Sequence, residues 1–116
     1  MKRLIAVLVA VAAVAAALAV PALGATTHTV KVGPHRTFGP KTLTIRSGDT
    51  VRFRWTGSLA HNVVITKGPH QRAGSRVRTI SRVRFSGVVR KKFRTRGTYT
   101  IVCQIHPGMT LKLRVT

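Results

Sequence analysis

The sequence predicts an all-β domain, a small antiparallel Greek-key β-sandwich or barrel of about seven to eight strands. Three observations carry that expectation. Short runs that alternate apolar and basic residues recur through the chain, as in Val51-Arg52-Phe53-Arg54-Trp55. Clusters of Gly, Pro, Ser and Asp punctuate these runs, as at Gly33-Pro34 and Ser47-Gly48-Asp49. No stretch of helical period follows the first two dozen residues.

The first residues have a different character. Lys2 and Arg3 precede an unbroken apolar run from Leu4 to Val20, Pro21 ends it, and Ala22-Leu23-Gly24-Ala25 offers small residues for cleavage. Residues 1–25 are therefore expected to be a secretory signal peptide or, if left uncleaved, an N-terminal anchor. In both cases residues 26–116, one small domain, are expected outside the cytoplasm: periplasmic, cell-surface or secreted.

Along that domain, His28–Val32 alternates as a short strand, Gly33-Pro34 breaks it, and Phe38-Gly39-Pro40-Lys41 leads into a second strand at Thr42–Ile45. Ser47 to Thr50 is a turn in which Asp49 bonds the local backbone, and Val51–Trp55 follows with arginines outward. A loop through Gly57-Ser58 ends at His61, and Asn62–Thr66 resumes a strand. Lys67 to Ser75 reads as a surface connection. Two short segments, Arg76–Arg78 and Arg82–Phe85, are expected to set arginine on one face and an apolar residue on the other. Val88–Phe93 is a further strand with a basic edge. Gly97 opens a strand with Tyr99, Ile101 and Cys103 on one face, and Leu111–Val115 closes the domain.

The charge balance is extreme. Among 116 residues there are 21 Lys and Arg against one acid, a formal +20, and removing Lys2 and Arg3 with a leader leaves +18. Such a field draws a protein to anionic surfaces and speeds association with acidic partners, without bearing on the fold. The chain also has a single cysteine, Cys103. It cannot form a disulfide within the chain, and a lone thiol in an oxidising compartment is a liability unless buried or committed to a metal.

Cys103 opens the run Cys103-Gln104-Ile105-His106-Pro107-Gly108-Met109, a thiolate, an imidazole and a thioether at C-x-x-H-x-x-M spacing. His61 upstream would complete two imidazoles and a thiolate with a weak axial thioether, the ligand set of an electron-transfer copper site. A sheet fixes the cysteine at a strand end, while Pro107-Gly108 lets the following loop turn back round the metal. Soft sulfur ligands favour copper over calcium or magnesium, and one cysteine is too few for a structural zinc-sulfur site. Each residue alone has a plainer explanation: Cys103 as a small buried hydrophobe, His106 as an ordinary loop histidine, Met109 as a filler of core gaps, His61 as a structural residue. The combination is what points to a metal. His28, His35 and His70 lie in flanking or basic loop contexts and receive no site role.

Gly97-Thr98-Tyr99 through Cys103 and His106-Pro107-Gly108-Met109 resembles the C-terminal ligand loop of the cupredoxin family, the blue copper proteins that include plastocyanins, amicyanins and pseudoazurins. His61-Asn62-Val63 resembles the family's first-ligand strand, and Lys41–Ile45 through Gly48–Val51 resembles the hairpin before it. The resemblance implies one type 1 copper per chain, ligated by His61, Cys103, His106 and axial Met109. It implies that Asn62 pins the two ligand loops together, that His106 is the electron's route, and that Pro107 belongs to a docking patch around it. Asp49 resembles a structural turn residue. Gln104 departs from the small or hydroxylic residue of many relatives, which leaves hydrogen bonding near the thiolate open, and the basic surface is also unusual for the family.

The reading that results is an exported monomer that shuttles single electrons, with a redox partner protein that is acidic or sits at an anionic membrane surface. Copper delivery or resistance would use the same ligands without a redox partner. A module built to bind polyanions would need exposed aromatics among its basic residues, whereas the aromatics here alternate inward, and no specific nucleic-acid motif is present. Enzyme readings are weak: a Cys/His nucleophile lacks an orienting acid, and a multicopper oxidase would need paired His-x-His clusters.

Overall fold

The computed structural model describes residues 24–69 and 78–116. The leader expected over residues 1–25 thus falls almost wholly outside the described residues, as do His70 and the following part of the expected surface connection. Nine strands form among the described residues: β1 (Thr27–Val32), β2 (Phe38–Gly39), β3 (Thr42–Ile45), β4 (Thr50–Trp55), β5 (His61–Lys67), β6 (Arg78–Arg84), β7 (Val88–Lys92), β8 (Gly97–Val102) and β9 (Thr110–Val115). They build one sheet in the order β2-β1-β4-β7 and another in the order β3-β9-β8-β5-β6. The period-2 pattern does the work at each strand. In β4, Val51, Phe53 and Trp55 are buried and Arg54 is exposed; in β9, Leu111, Leu113 and Val115 are buried and Lys112 and Arg114 are exposed. The inward rows meet with Phe38, Phe93, Tyr99 and Ile101 in one core. Each large side chain buried this completely contributes about 1.5–3 kcal/mol.

The sheets are mixed rather than wholly antiparallel as expected. β1 runs parallel to β4, and β3 runs parallel to β9. The segment expected to be a hairpin is a corner between sheets, because β3 and β4 belong to different ones. Backbone bonds stitch the corner to distant chain: Ser47 N–H donates to Thr116 O at 2.9 Å and Gly48 N–H to Phe93 O at 2.7 Å. Alternation within a segment says which face is apolar but nothing about which distant strand lies beside it, so this part of the topology was beyond local reading.

A second correction concerns β6. Arg78–Arg84 is one continuous strand, and the inward apolar face expected over Arg82–Phe85 is not formed: Val83 is 51% and Phe85 65% exposed. β6 is the edge strand of the five-stranded sheet, and the facing sheet has only four strands to cover it.

The one acidic side chain closes the start of the domain onto the corner. Asp49 is buried and accepts bonds from Thr26 N–H at 2.9 Å, Arg46 N–H at 3.0 Å and the His28 ring at 2.9 Å. The Thr26 amide first, then His28 and the Arg46 amide, hold its carboxyl down at about 2, from 3.8 unperturbed. A carboxyl with a lowered folded value contributes stability in full above its unfolded value and loses it as pH falls through the folded one. Thermal midpoints should therefore show a decline between about pH 4 and 2 that Asp49→Asn lacks. A wild-type profile with no extra decline in that window would show that the clasp adds nothing.

Candidate metal centre

The end of the sandwich where β5 begins and β8 ends collects the chemistry. β5 and β8 are antiparallel neighbours, with Val64 opposite Val102, so the first residue of β5 and the residue just past β8 lie at one end of the sheet. Those residues are His61 and Cys103. β5 departs from simple alternation, since His61 through Ile65 are all buried. Its register against β6 shifts between His61 and Val63 and again between Val63 and Val64. Irregularities of this kind re-aim side chains beside functional sites.

The loop after β8 folds on itself: Cys103 N–H donates to Met109 O and Met109 N–H to His106 O, both at 3.1 Å. This turn brings His106 back over Cys103. His61 Nδ1 and His106 Nδ1 stand 3.0 Å apart, and Cys103 Sγ is 3.5 Å from His106 Nδ1. Candidate ligand atoms of His61, Cys103 and His106 all lie within 4.8 Å of one another. The two imidazole rings meet edge-on, with centroids 4.7 Å apart. Met109 is buried, like His61 and Cys103, while His106 is half-buried and Pro107 exposed. Burial first, and then the charge of His106, hold His61 below its ordinary value, which favours the neutral, ligating imidazole.

These residues fit a bound soft cation. Two facing imidazole nitrogens at 3.0 Å can share at most one proton between them, and a thiol sulfur completes a triangle of electron-pair donors. One cation among them would satisfy all three.

Asn62 and Gln104 connect the strand and the loop. Asn62 Nδ2–H donates to Gln104 Oε1 at 2.9 Å, and Gln104 N–H donates to Asn62 Oδ1 at 2.8 Å. His35 is exposed, and His28 serves Asp49 at the opposite end of the molecule.

Two contacts to His61 were not read from the sequence. The buried Trp55 indole N–H donates to His61 O at 3.0 Å. A buried tryptophan usually finds a partner for that N–H, which was the available signal. Gly33, at φ 100°, passes beside the same histidine: a Cβ there would collide with the Thr56 carbonyl oxygen and stand 3.4 Å from His61 Nε2. Gly33-Pro34 carried only the signal of a strand break.

Residues 25–116 match the family described as copper binding proteins, plastocyanin/azurin family. Among solved structures, a mutant plastocyanin of fern, recorded in oxidized and reduced forms, aligns at 25% identity with a TM-score of 0.65 over 77% of this chain and 100% of the other. A reduced amicyanin mutant aligns at 24% identity and a TM-score of 0.65 over 84% of this chain and 88% of the other, a likeness of fold. A copper-containing nitrite reductase from Thermus scotoductus aligns at 25% identity and a TM-score of 0.63, but this chain spans 24% of that enzyme. No curated protein matches.

Proposed function

Because the chain belongs to the plastocyanin/azurin family of copper-binding proteins, with copper as its cofactor, we propose that it is a one-electron carrier rather than an enzyme, and that His61, Cys103, His106 and axial Met109 hold the metal. The observation that carries this is the convergence of His61, Cys103 and His106 donor atoms within 4.8 Å at one end of the sandwich. Bound there, copper supplies a one-electron couple. The chain's own part is rigidity and access. His61 is fixed by β5 and by the Trp55 bond to its carbonyl, and Cys103 by β8 and the closed loop. Donor atoms so held move little between oxidation states, which keeps electron exchange fast. His106 is the edge of the cluster nearest solvent, with exposed Pro107 and Ile105 (46% exposed) beside it as an apolar docking rim.

The test is a Cu(II) titration followed by visible absorption and electron paramagnetic resonance. A one-to-one endpoint, strong red-region absorption and narrow copper hyperfine splitting are expected. A colourless protein with wide splitting would replace electron transfer with copper delivery or resistance. Met109→Leu should keep the colour and raise the reduction potential, since the axial donor is lost; an unchanged potential, read by voltammetry, would remove Met109 from the ligand set.

We also infer an acidic redox partner, or one at an anionic membrane surface, and a location outside the cytoplasm. The first rests on 21 basic side chains against one acid, the second on the charged start and apolar run within residues 1–25. Electron-transfer rates should then fall steeply as salt rises from about 0.01 to 0.15 M, where the screening length shrinks from about 30 to 8 Å. A flat salt profile would show that the field does not steer the partner.

A further inference from the structure

At the end away from His61, the edges of the two sheets form a cleft. β6 begins there at Arg78, paired with Ile65 at the far part of β5, and β7 ends there at Lys92, paired with Thr50. The cleft holds about 190 Å³, and the described residues lining it include Arg78, Lys91, Lys92 and Arg94 over a floor of Phe93 and Tyr99. Four cationic residues thus border it, with Arg78 and Lys91 in register with the buried Ile65 and Val51 and so on the inward faces of their strands. The chain's single acidic residue, Asp49, accepts from Phe93 N–H through its backbone carbonyl, while its carboxylate is engaged by His28 and two backbone amides.

Lys91 is the telling member. It is half-buried, its ammonium lies 5.6 Å from the centre of the Phe93 ring, and burial together with the Arg78 charge pushes its pKa down. Arg78 also acts on the Tyr99 phenol, whose O–H donates to Thr95 O at 2.7 Å. Like charges crowded into a partly desolvated cleft are costly unless an anion joins them. The cavity is smaller than the roughly 300 Å³ at which pockets for drug-sized ligands begin. A group that fits it is accordingly a small multivalent anion, or the charged end of something larger. The planar fork of arginine and the compact ammonium of lysine together suit phosphate oxygens.

We propose that this cleft binds a phosphate group, either free inorganic phosphate or the headgroup of an anionic phospholipid, with Arg78 and Lys91 as its principal contacts. The lipid source has a geometric argument of its own. Lys92 pairs with Thr50, and Thr50 pairs with Thr27, so the cleft opens at the end of the molecule from which residues before 27 depart.

The test titrates the copper-loaded protein with inorganic phosphate against chloride at equal ionic strength, following backbone amide shifts and heat. Saturable one-to-one binding is expected, with the largest shifts at Arg78, Lys91 and Tyr99. The double variant Arg78→Gln/Lys91→Gln should weaken binding about tenfold or more, the loss of one to two partly exposed charged contacts. Lys31→Gln/Arg114→Gln removes the same charge from exposed strand faces and should stay within about twofold of wild type. Equal weakening in both variants, or no saturation, would overturn the site. Lys91→Arg, which keeps the charge, should retain binding, and an unchanged thermal midpoint separates lost contacts from lost folding. A second arm compares vesicles of phosphatidylglycerol and phosphatidylcholine. Retention on the anionic vesicles that the Arg78/Lys91 variant alone loses identifies the headgroup as the source; phosphate binding with vesicle retention equal in the two double variants identifies free phosphate. None of these readouts depends on the copper assignment.

Discussion

Cys103→Ala is expected to leave a colourless protein with copper affinity lowered by more than about a hundredfold, beyond the 10–100-fold that loss of a supporting residue costs. The sulfur is the cluster's sole thiolate donor and lies 3.5 Å from His106 Nδ1. Without it, two imidazoles and a thioether remain, and the absorption that arises from thiolate-to-copper charge transfer has no donor. The fold should survive. Cys103 is buried, but only one small atom is removed, and closing so small a void costs about 1 kcal/mol. Competition with a chelator of known affinity, alongside visible spectra and thermal melts, separates the two effects. A variant that still binds copper and is still blue would refute the ligand assignment.

Asn62→Ala is expected to lower copper affinity about 10–100-fold while leaving the site coloured. Asn62 makes two bonds from β5 to the ligand loop, accepting from the Gln104 amide and donating to the Gln104 side chain. Its loss leaves a backbone N–H without its partner and frees the loop that carries His106, at a stability cost of about 1–3 kcal/mol. Gln104→Ala removes only the side-chain half of the pair, because the backbone amide remains, so its effect should be the smaller. If Asn62→Ala matched wild type in affinity, the loop would be held by the backbone bonds of Cys103 and Met109 alone.

The legibility of this site in the sequence has a physical basis. Cys103, His106 and Met109 lie within seven consecutive residues, so a single tight loop decides their geometry, and spacing alone conveys it. His61 was reachable because it stands where a loop hands over to an apolar strand. The strand runs of β1, β3, β4, β8 and β9 were equally local, since each carries its own alternation. What could not be read was whatever depends on a distant segment. The parallel pairs β1 with β4 and β3 with β9, the sheet change between Ile45 and Thr50, and the approach of Gly33 and Trp55 to His61 are all of that kind. The exposure of Val83 and Phe85 belongs with them, because a strand's own pattern does not say that the opposite sheet stops short.

The direction of β1 gives the molecule a front and a back. It enters beside Thr50, next to the Asp49 clasp, and leaves at Val32 opposite Trp55, one residue before the glycine that flanks His61. Six residues of strand span about 20 Å. Any tether joined ahead of Thr27 would therefore pull from the rear, leaving the end that carries His61 and His106 clear. The same domain can then serve anchored or released without rebuilding its docking rim; what changes is how far it can roam.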